Sequence, residues 1–166
     1  PIALDFVYGD IDANGVMTPL DGQQRLTTLF LLHWYAAKRE SINKDEYGFL
    51  SNFSYETRYS ARDFCDLLVN KYTPSFTQAI SEEIIDQAWF PLDWTKDPTI
   101  SSMLVMLDGI HNMFAEVPDI WNSLKNGAIS FYFLPIKDMG LTDELYIKMN
   151  SRGKPLTQFE HFKAEL

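Results

Sequence analysis

The run Val16-Met17-Thr18-Pro19-Leu20-Asp21-Gly22-Gln23-Gln24-Arg25-Leu26-Thr27-Thr28-Leu29 constrains this chain more than any other stretch. A short apolar segment, Val16 to Leu20, enters an Asp-Gly pair. An arginine follows three residues after the glycine, and apolar residues at helical spacing begin directly behind it. That order predicts a strand, a tight turn and a helix N-terminus. Gly22 permits positive φ and close approach of a ligand to the backbone. The helix start offers N–H groups and a positive dipole end, a combination that suits anions and phosphates. Arg25 adds a planar fork of donors matched to phosphate oxygens.

Each residue of the turn also has a plainer reading. Gly22 can be an ordinary turn glycine, and Arg25 a surface arginine paired with a carboxylate. Asp21 and Gln24 have the spacing of a capping box, in which the side chains do no more than close the helix start. Asp21 is otherwise a candidate to hold magnesium through water. Gln23 and Gln24 can hydrogen-bond a phosphate, a base or a water. A Walker-type loop is excluded, because no Gly-Lys-Ser/Thr ending is present.

The string Asp21-Gly22-Gln23-Gln24-Arg25, followed by Leu26-Thr27-Thr28-Leu29, resembles the DGQQR motif of the GmrSD-type restriction endonuclease N-terminal domain family. A second block, Tyr146-Ile147-Lys148-Met149-Asn150-Ser151-Arg152-Gly153, resembles that family's aromatic-x-x-x-Asn-x-Arg-Gly segment. Two separated motifs in the same order are more specific than either alone. The resemblance implies a fold similar to ParB and sulfiredoxin, in which such a strand-turn-helix cradles nucleotide phosphates. It implies that Gly22, Gln23, Gln24 and Arg25 form the phosphate loop, with Asn150 and Arg152 approaching the same pocket. The cofactor so implied is a nucleoside triphosphate with magnesium, and Asp21 and Arg25 are the implied catalytic pair. The implied partners are DNA, through the full-length protein, and a nuclease domain or subunit beyond this sequence. The chain departs from the family in two ways: it lacks the early Phe-Gln-Arg-aromatic segment of many members, and it has no His-Asn-His constellation. It is therefore expected not to cut DNA by itself.

Composition narrows the rest. With 166 residues, 46% of them hydrophobic, the chain can build a domain core. It has no apolar run of the ~18 residues a membrane helix needs, and no signal-peptide pattern. A cytoplasmic location without a membrane partner is the expectation. A net charge of −9 makes a poor general nucleic-acid binder, because non-specific affinity comes from phosphate neutralisation. Arg58, Arg62, Lys148, Arg152 and Lys154 are the candidates for a local basic patch. Cys65 is the only cysteine, set among Phe64, Leu67 and Leu68, and reads as a buried, inert thiol. That rules out sulfiredoxin-type redox repair, whose reactive cysteine has no counterpart in the motif. His33, His111 and His161 lie too far apart for a metal-ligand spacing, so no metal residues are assigned.

Along the chain, strands are predicted over Ile2–Tyr8, Val16–Leu20 and Ile129–Ile136, with a loop from Gly9 to Gly15. A helix is predicted over Gln23–Arg39, apolar nearly all round and therefore central. The segment from Ser41 to Glu56 reads as a connector. Ser60-x-x-Asp63 reads as a capping box opening a helix to about Asn70, with a further helical stretch from Pro74 to about Ala88. Asp97-Pro98-Thr99 introduces a helix to Phe114, and Pro118 starts a short one. Thr142 and Thr157 read as later helix caps. The expectation is one α/β domain over 1–166, a piece of a longer protein truncated at both ends. It would carry a small mixed sheet of ParB/sulfiredoxin-like type and a largely helical insertion at about 41–125.

Overall fold

The computed structural model describes residues 2–3, 7–130 and 133–135. Contacts divide the chain into two compact units, Pro1–Leu26 with Gly127–Leu166, and Thr27–Asn126. The class is mixed α/β, as expected. The chain passes from one unit to the other within its first helix.

The first unit is the sheet unit. Strand β2, Val7–Ile11, lies at the centre of a three-stranded sheet. On one side it pairs antiparallel with β3, Met17–Asp21, and on the other it pairs parallel with β5, Phe133–Pro135. A second, two-stranded parallel pair joins β1, Ile2–Ala3, to β4, Ile129–Ser130. Within the expected strand over Ile129–Ile136, Ile129–Ser130 pairs with β1 and Phe133–Pro135 with β2. Parallel pairing needs a long crossover, and in sequence the helical unit supplies it. Pro19 lacks an N–H for the ladder and lies on β3, an edge strand among the described residues.

The expected loop from Gly9 to Gly15 is shorter than its composition suggests, because β2 runs on through Ile11. The turn is held by Asp12. Its side chain accepts from the Asn14 N–H at 2.8 Å and the Val16 N–H at 3.0 Å, and Gly15 takes φ +79. This is the Asx-turn chemistry that lets a short polar side chain stand in for a strand ladder.

The second unit is helical. Helix α1, Gln23–Arg39, enters it, and Leu31, Trp34, Tyr35, Ala36 and Ala37 are all buried there. The central position inferred from its apolar circumference is thus correct. Beside it stand α3, Tyr59–Lys71, and α5, Pro98–Phe114, with α4, Ile80–Ile85, packed on α5. Phe64, Leu68, Ile80, Ile84, Ile100, Met103 and Leu107 complete the core. The Trp34 indole N–H donates to the Leu68 carbonyl at 2.8 Å, so this large buried ring keeps its polar atom satisfied. Cys65 is buried, and burial pushes its thiol up to about 12, as an inert core cysteine requires.

Three local expectations are corrected and two are met. The connector over 41–56 contains α2, Lys44–Tyr47, and a 3-10 turn, Gly48–Asn52. The stretch from Pro74 to Ala88 is helical only over α4. Before it, the Glu83 carboxylate takes the Ser75 N–H and hydroxyl, both at 2.7 Å, which ties the segment into a loop. Ser60 does not cap α3; its hydroxyl donates instead to Asp97. Asp97 does cap α5 as expected, accepting from Thr99 N–H at 2.8 Å and Ile100 N–H at 3.2 Å. The short helix expected from Pro118 is α6, Ile120–Lys125. Its N-terminus is capped by Glu40, whose carboxylate accepts from the Ile120 N–H at 2.8 Å.

Candidate phosphate-binding turn

The sequence-predicted site begins where β3 ends. Asp21 is the last residue of β3, paired in the ladder with Tyr8. Tyr8 pairs with Asp21 but Gly9 pairs with Pro19, which leaves Leu20 as an extra residue on β3. Such a bulge bends a strand and re-aims the chain beyond it. Directly after it, Gly22 is buried at φ +83. A residue with a Cβ is strained there, so glycine is required by conformation.

The bulge depends on a residue that sequence reading placed in a loop. A Cβ at Gly9 would meet the Thr18 carbonyl oxygen at 2.2 Å and the Pro19 Cα at 2.7 Å. Only glycine lets β2 and β3 approach this closely. The available signal was a glycine directly behind the apolar run, facing a proline in the next strand.

Helix α1 opens with its Leu26 N–H donating to the Gly22 carbonyl at 3.0 Å. Gly22 therefore occupies the N-cap position. The expected capping box placed Asp21 there with Gln24 at the third helical position; the observed start shifts both by one, so that box is not the geometry of this helix. No acidic side chain lies in the first turn of α1, and Lys38 and Arg39 lie in its last. The basic last turn interacts favourably with the negative end of the helix dipole, whose positive end points toward Gly22.

Gln23, Gln24 and Arg25 make up that first turn. Gln23 and Gln24 are exposed and Arg25 is half-buried. The Gln23 amide donates to the Pro19 carbonyl at 3.1 Å, bridging the helix start back to the edge strand. The following threonines anchor the helix inside the helical unit. The Thr27 and Tyr55 hydroxyls lie 2.9 Å apart, and the Thr28 hydroxyl reaches the Met106 sulfur at 3.5 Å. Burial pushes the Tyr55 phenol up, against the lowering effect of its bond to Thr27. The structure thus brings Asp21 to Arg25 together as strand end, buried turn and helix start. Asn150 and Arg152, like Lys148, Lys154, His161 and the helices expected after Thr142 and Thr157, lie outside the described residues.

Two candidates for the local basic patch make contacts inside the helical unit. Arg58 donates to the Thr99 hydroxyl at 2.6 Å, and the Arg62 guanidinium stacks over the Tyr59 ring at 4.6 Å. Among the described residues, no three His, Cys, Asp or Glu side chains gather as a metal set, and no helix is long and apolar enough to cross a membrane.

Against known families, the model of the GmrSD restriction endonuclease N-terminal domain matches residues 4–166. The chain belongs to that family. Its match runs through both units, so the helical unit is part of the family domain. No curated protein and no solved structure matches the chain.

Proposed function

We propose that this restriction endonuclease N-terminal domain binds the phosphates of a nucleoside triphosphate at the Gly22–Arg25 turn. Hydrolysis of that nucleotide would control a nuclease domain or subunit acting on DNA in the full-length protein. The observation that carries the reading is Gly22, buried at φ +83 between a bulged strand and a helix whose first turn has no acidic side chain. Helix N–H groups and the dipole attract an anion here, and Arg25 supplies a charge-assisted, bidentate contact. Stabilising charge on a transferring phosphoryl group is also the kind of catalysis such a turn can supply. The strand-turn-helix order supports assignment to the ParB/sulfiredoxin-like type, with Asn150 and Arg152 contributing to the same pocket.

The nucleotide fits the turn's donors. Magnesium bound with the nucleotide would supply charge neutralisation at the phosphates. Asp21, at the strand end, is the residue of the turn able to hold a metal-bound water.

Titration of ATP and GTP into the full-length protein by calorimetry tests the binding. Arg25→Ala should weaken binding by about tenfold to a hundredfold, the equivalent of one charge-assisted hydrogen bond. Arg25→Lys should restore only part, because it keeps the charge and loses the fork. Thermal melts serve as the folding control. Equal affinity in all three proteins removes Arg25 from the site. Phosphate release with and without DNA then tests hydrolysis: binding without release would leave a nucleotide sensor in place of an NTPase.

A further inference from the structure

The helical unit contains a small cavity, about 160 Å³, that the phosphate-binding turn does not account for. It is lined by His33 of α1, Glu46 of α2, Phe49 of the 3-10 turn, and Trp121 and Lys125 of α6. The ring of His33 stands edge-on to both Phe49 and Trp121, at 6.4 and 6.2 Å between centroids. Phe49 is 53% exposed, so a large apolar ring is left in water at this site.

The polar groups narrow what can enter. The Nδ1 of His33 lies 2.7 Å from the Leu29 carbonyl, which can only accept. Nδ1 therefore carries the hydrogen, and in the neutral ring Nε2 presents a lone pair. Trp121 is 5% exposed, and its indole N–H is buried without a hydrogen-bond partner among the described residues. Glu46 adds an acceptor and Lys125 a donor of opposite charge. Glu46 disfavours a phosphate, and Lys125 disfavours a simple cation. An uncharged planar ring with both donors and acceptors on its edge can meet both charges and lie against the aromatic rings. The volume is below the roughly 300 Å³ at which pockets for drug-sized ligands begin, so it suits one ring system.

From this geometry we infer a second ligand site in the helical unit, which takes a nucleobase-type heteroaromatic ring against Phe49, His33 and Trp121. The base can come from a free nucleoside or from single-stranded nucleic acid, and the same chemistry serves both. The site is independent of the Arg25 reading, because the nucleoside probes carry no phosphate.

The four common nucleosides, and separately a short single-stranded oligonucleotide, are titrated into the intact protein while the Trp121 indole N–H is followed by NMR. Saturable binding of at least one probe, with a shift of that resonance, is expected. Phe49→Ala, at an exposed position, should weaken binding about tenfold, as loss of one base–aromatic stack does. Arg25→Ala should leave nucleoside binding unchanged. Oligonucleotide binding that competes with the nucleoside would assign the base to a nucleic acid strand; nucleoside binding alone would assign it to a free ligand. Absence of saturable binding by every probe, or equal affinity in Phe49→Ala, overturns the inference.

Discussion

Gly9 in the sheet unit and Phe64 in the helical unit both occupy positions with little freedom, for opposite reasons. At Gly9 there is no room for a single added carbon, because the backbone of β3 lies where a Cβ would go. At Phe64 the side chain itself is what holds neighbours together: its ring meets Trp89, Phe90 and Trp94 at 6.5, 6.2 and 6.2 Å between centroids. The sheet unit is specified through backbone: a bulge, a glycine at φ +83 and parallel ladders between ends of the chain far apart in sequence. The helical unit is specified through side chains: a core of buried rings and aliphatics, and carboxylates that reach across to cap other segments. A site built from backbone needs few special residue types, which is why a short string can carry it.

The largest expected effect tests the side-chain half of this contrast. Phe64→Ala removes a fully buried ring and should cost about 3–5 kcal/mol. Denaturant unfolding measures the loss. Hydrogen exchange shows where it falls: amides of α3 and α5 should lose most protection and those of β2 and β3 least. Equal loss in both units would break the division between them.

Gly9→Ala tests the backbone half. The added methyl group must displace the Thr18 carbonyl, and overpacking of this kind costs about 1–3 kcal/mol. The expected signature is loss of protection in β2 and β3 with the helical core unaffected, together with weaker nucleotide binding at the turn that β3 leads into. A variant with native stability and native nucleotide affinity would show that the close approach at Gly9 does not position Gly22.

The smallest effect sharpens the role of cross-capping. The Ser60 hydroxyl, with the Ile100 and Thr99 N–H groups, holds the Asp97 carboxyl below its ordinary range, against the opposing effect of burial. Its folded pKa is therefore lower than its unfolded one. The stabilisation is fully present above the ordinary carboxylate range and is lost as the pH falls through the folded pKa. Asp97→Ala should cost about 1 kcal/mol at neutral pH, the scale of one helix cap. It should also flatten the acid limb of the stability profile measured by thermal melts from neutral pH downward. An unchanged acid limb would remove Asp97 from the capping network.

Several features were legible because they rest on local rules. The bounds of α1 follow from apolar residues on every face behind an Asp-Gly turn, and they match the structure. The Asp97-Pro98-Thr99 start of α5 follows from N-cap preference and proline's fixed φ, and it matches too. The buried thiol of Cys65 follows from its apolar neighbours. Ser60 shows where local rules stop. Its spacing to Asp63 fits a capping box, yet its hydroxyl donates to Asp97, a carboxylate 37 positions away. The same holds for Pro74 to Ala88, where Glu83 folds back onto Ser75 and ends what composition reads as helix.

At the candidate site the division is similar. Sequence identified the Gly22 turn, the helix behind it and the arginine in its first turn, and the family match extends over residues 4–166. Tertiary structure decided that Gly22, one residue later than expected, holds the N-cap position, that Leu20 is the extra residue of a bulge, and that Gly9 makes room for it. It also brought His33, Phe49 and Trp121 together from three separate segments. Propensity, periodicity and capping act over a few residues, so the chain states them directly. Strand register and cross-chain capping depend on which distant backbone or carboxylate arrives, and only the folded chain determines that.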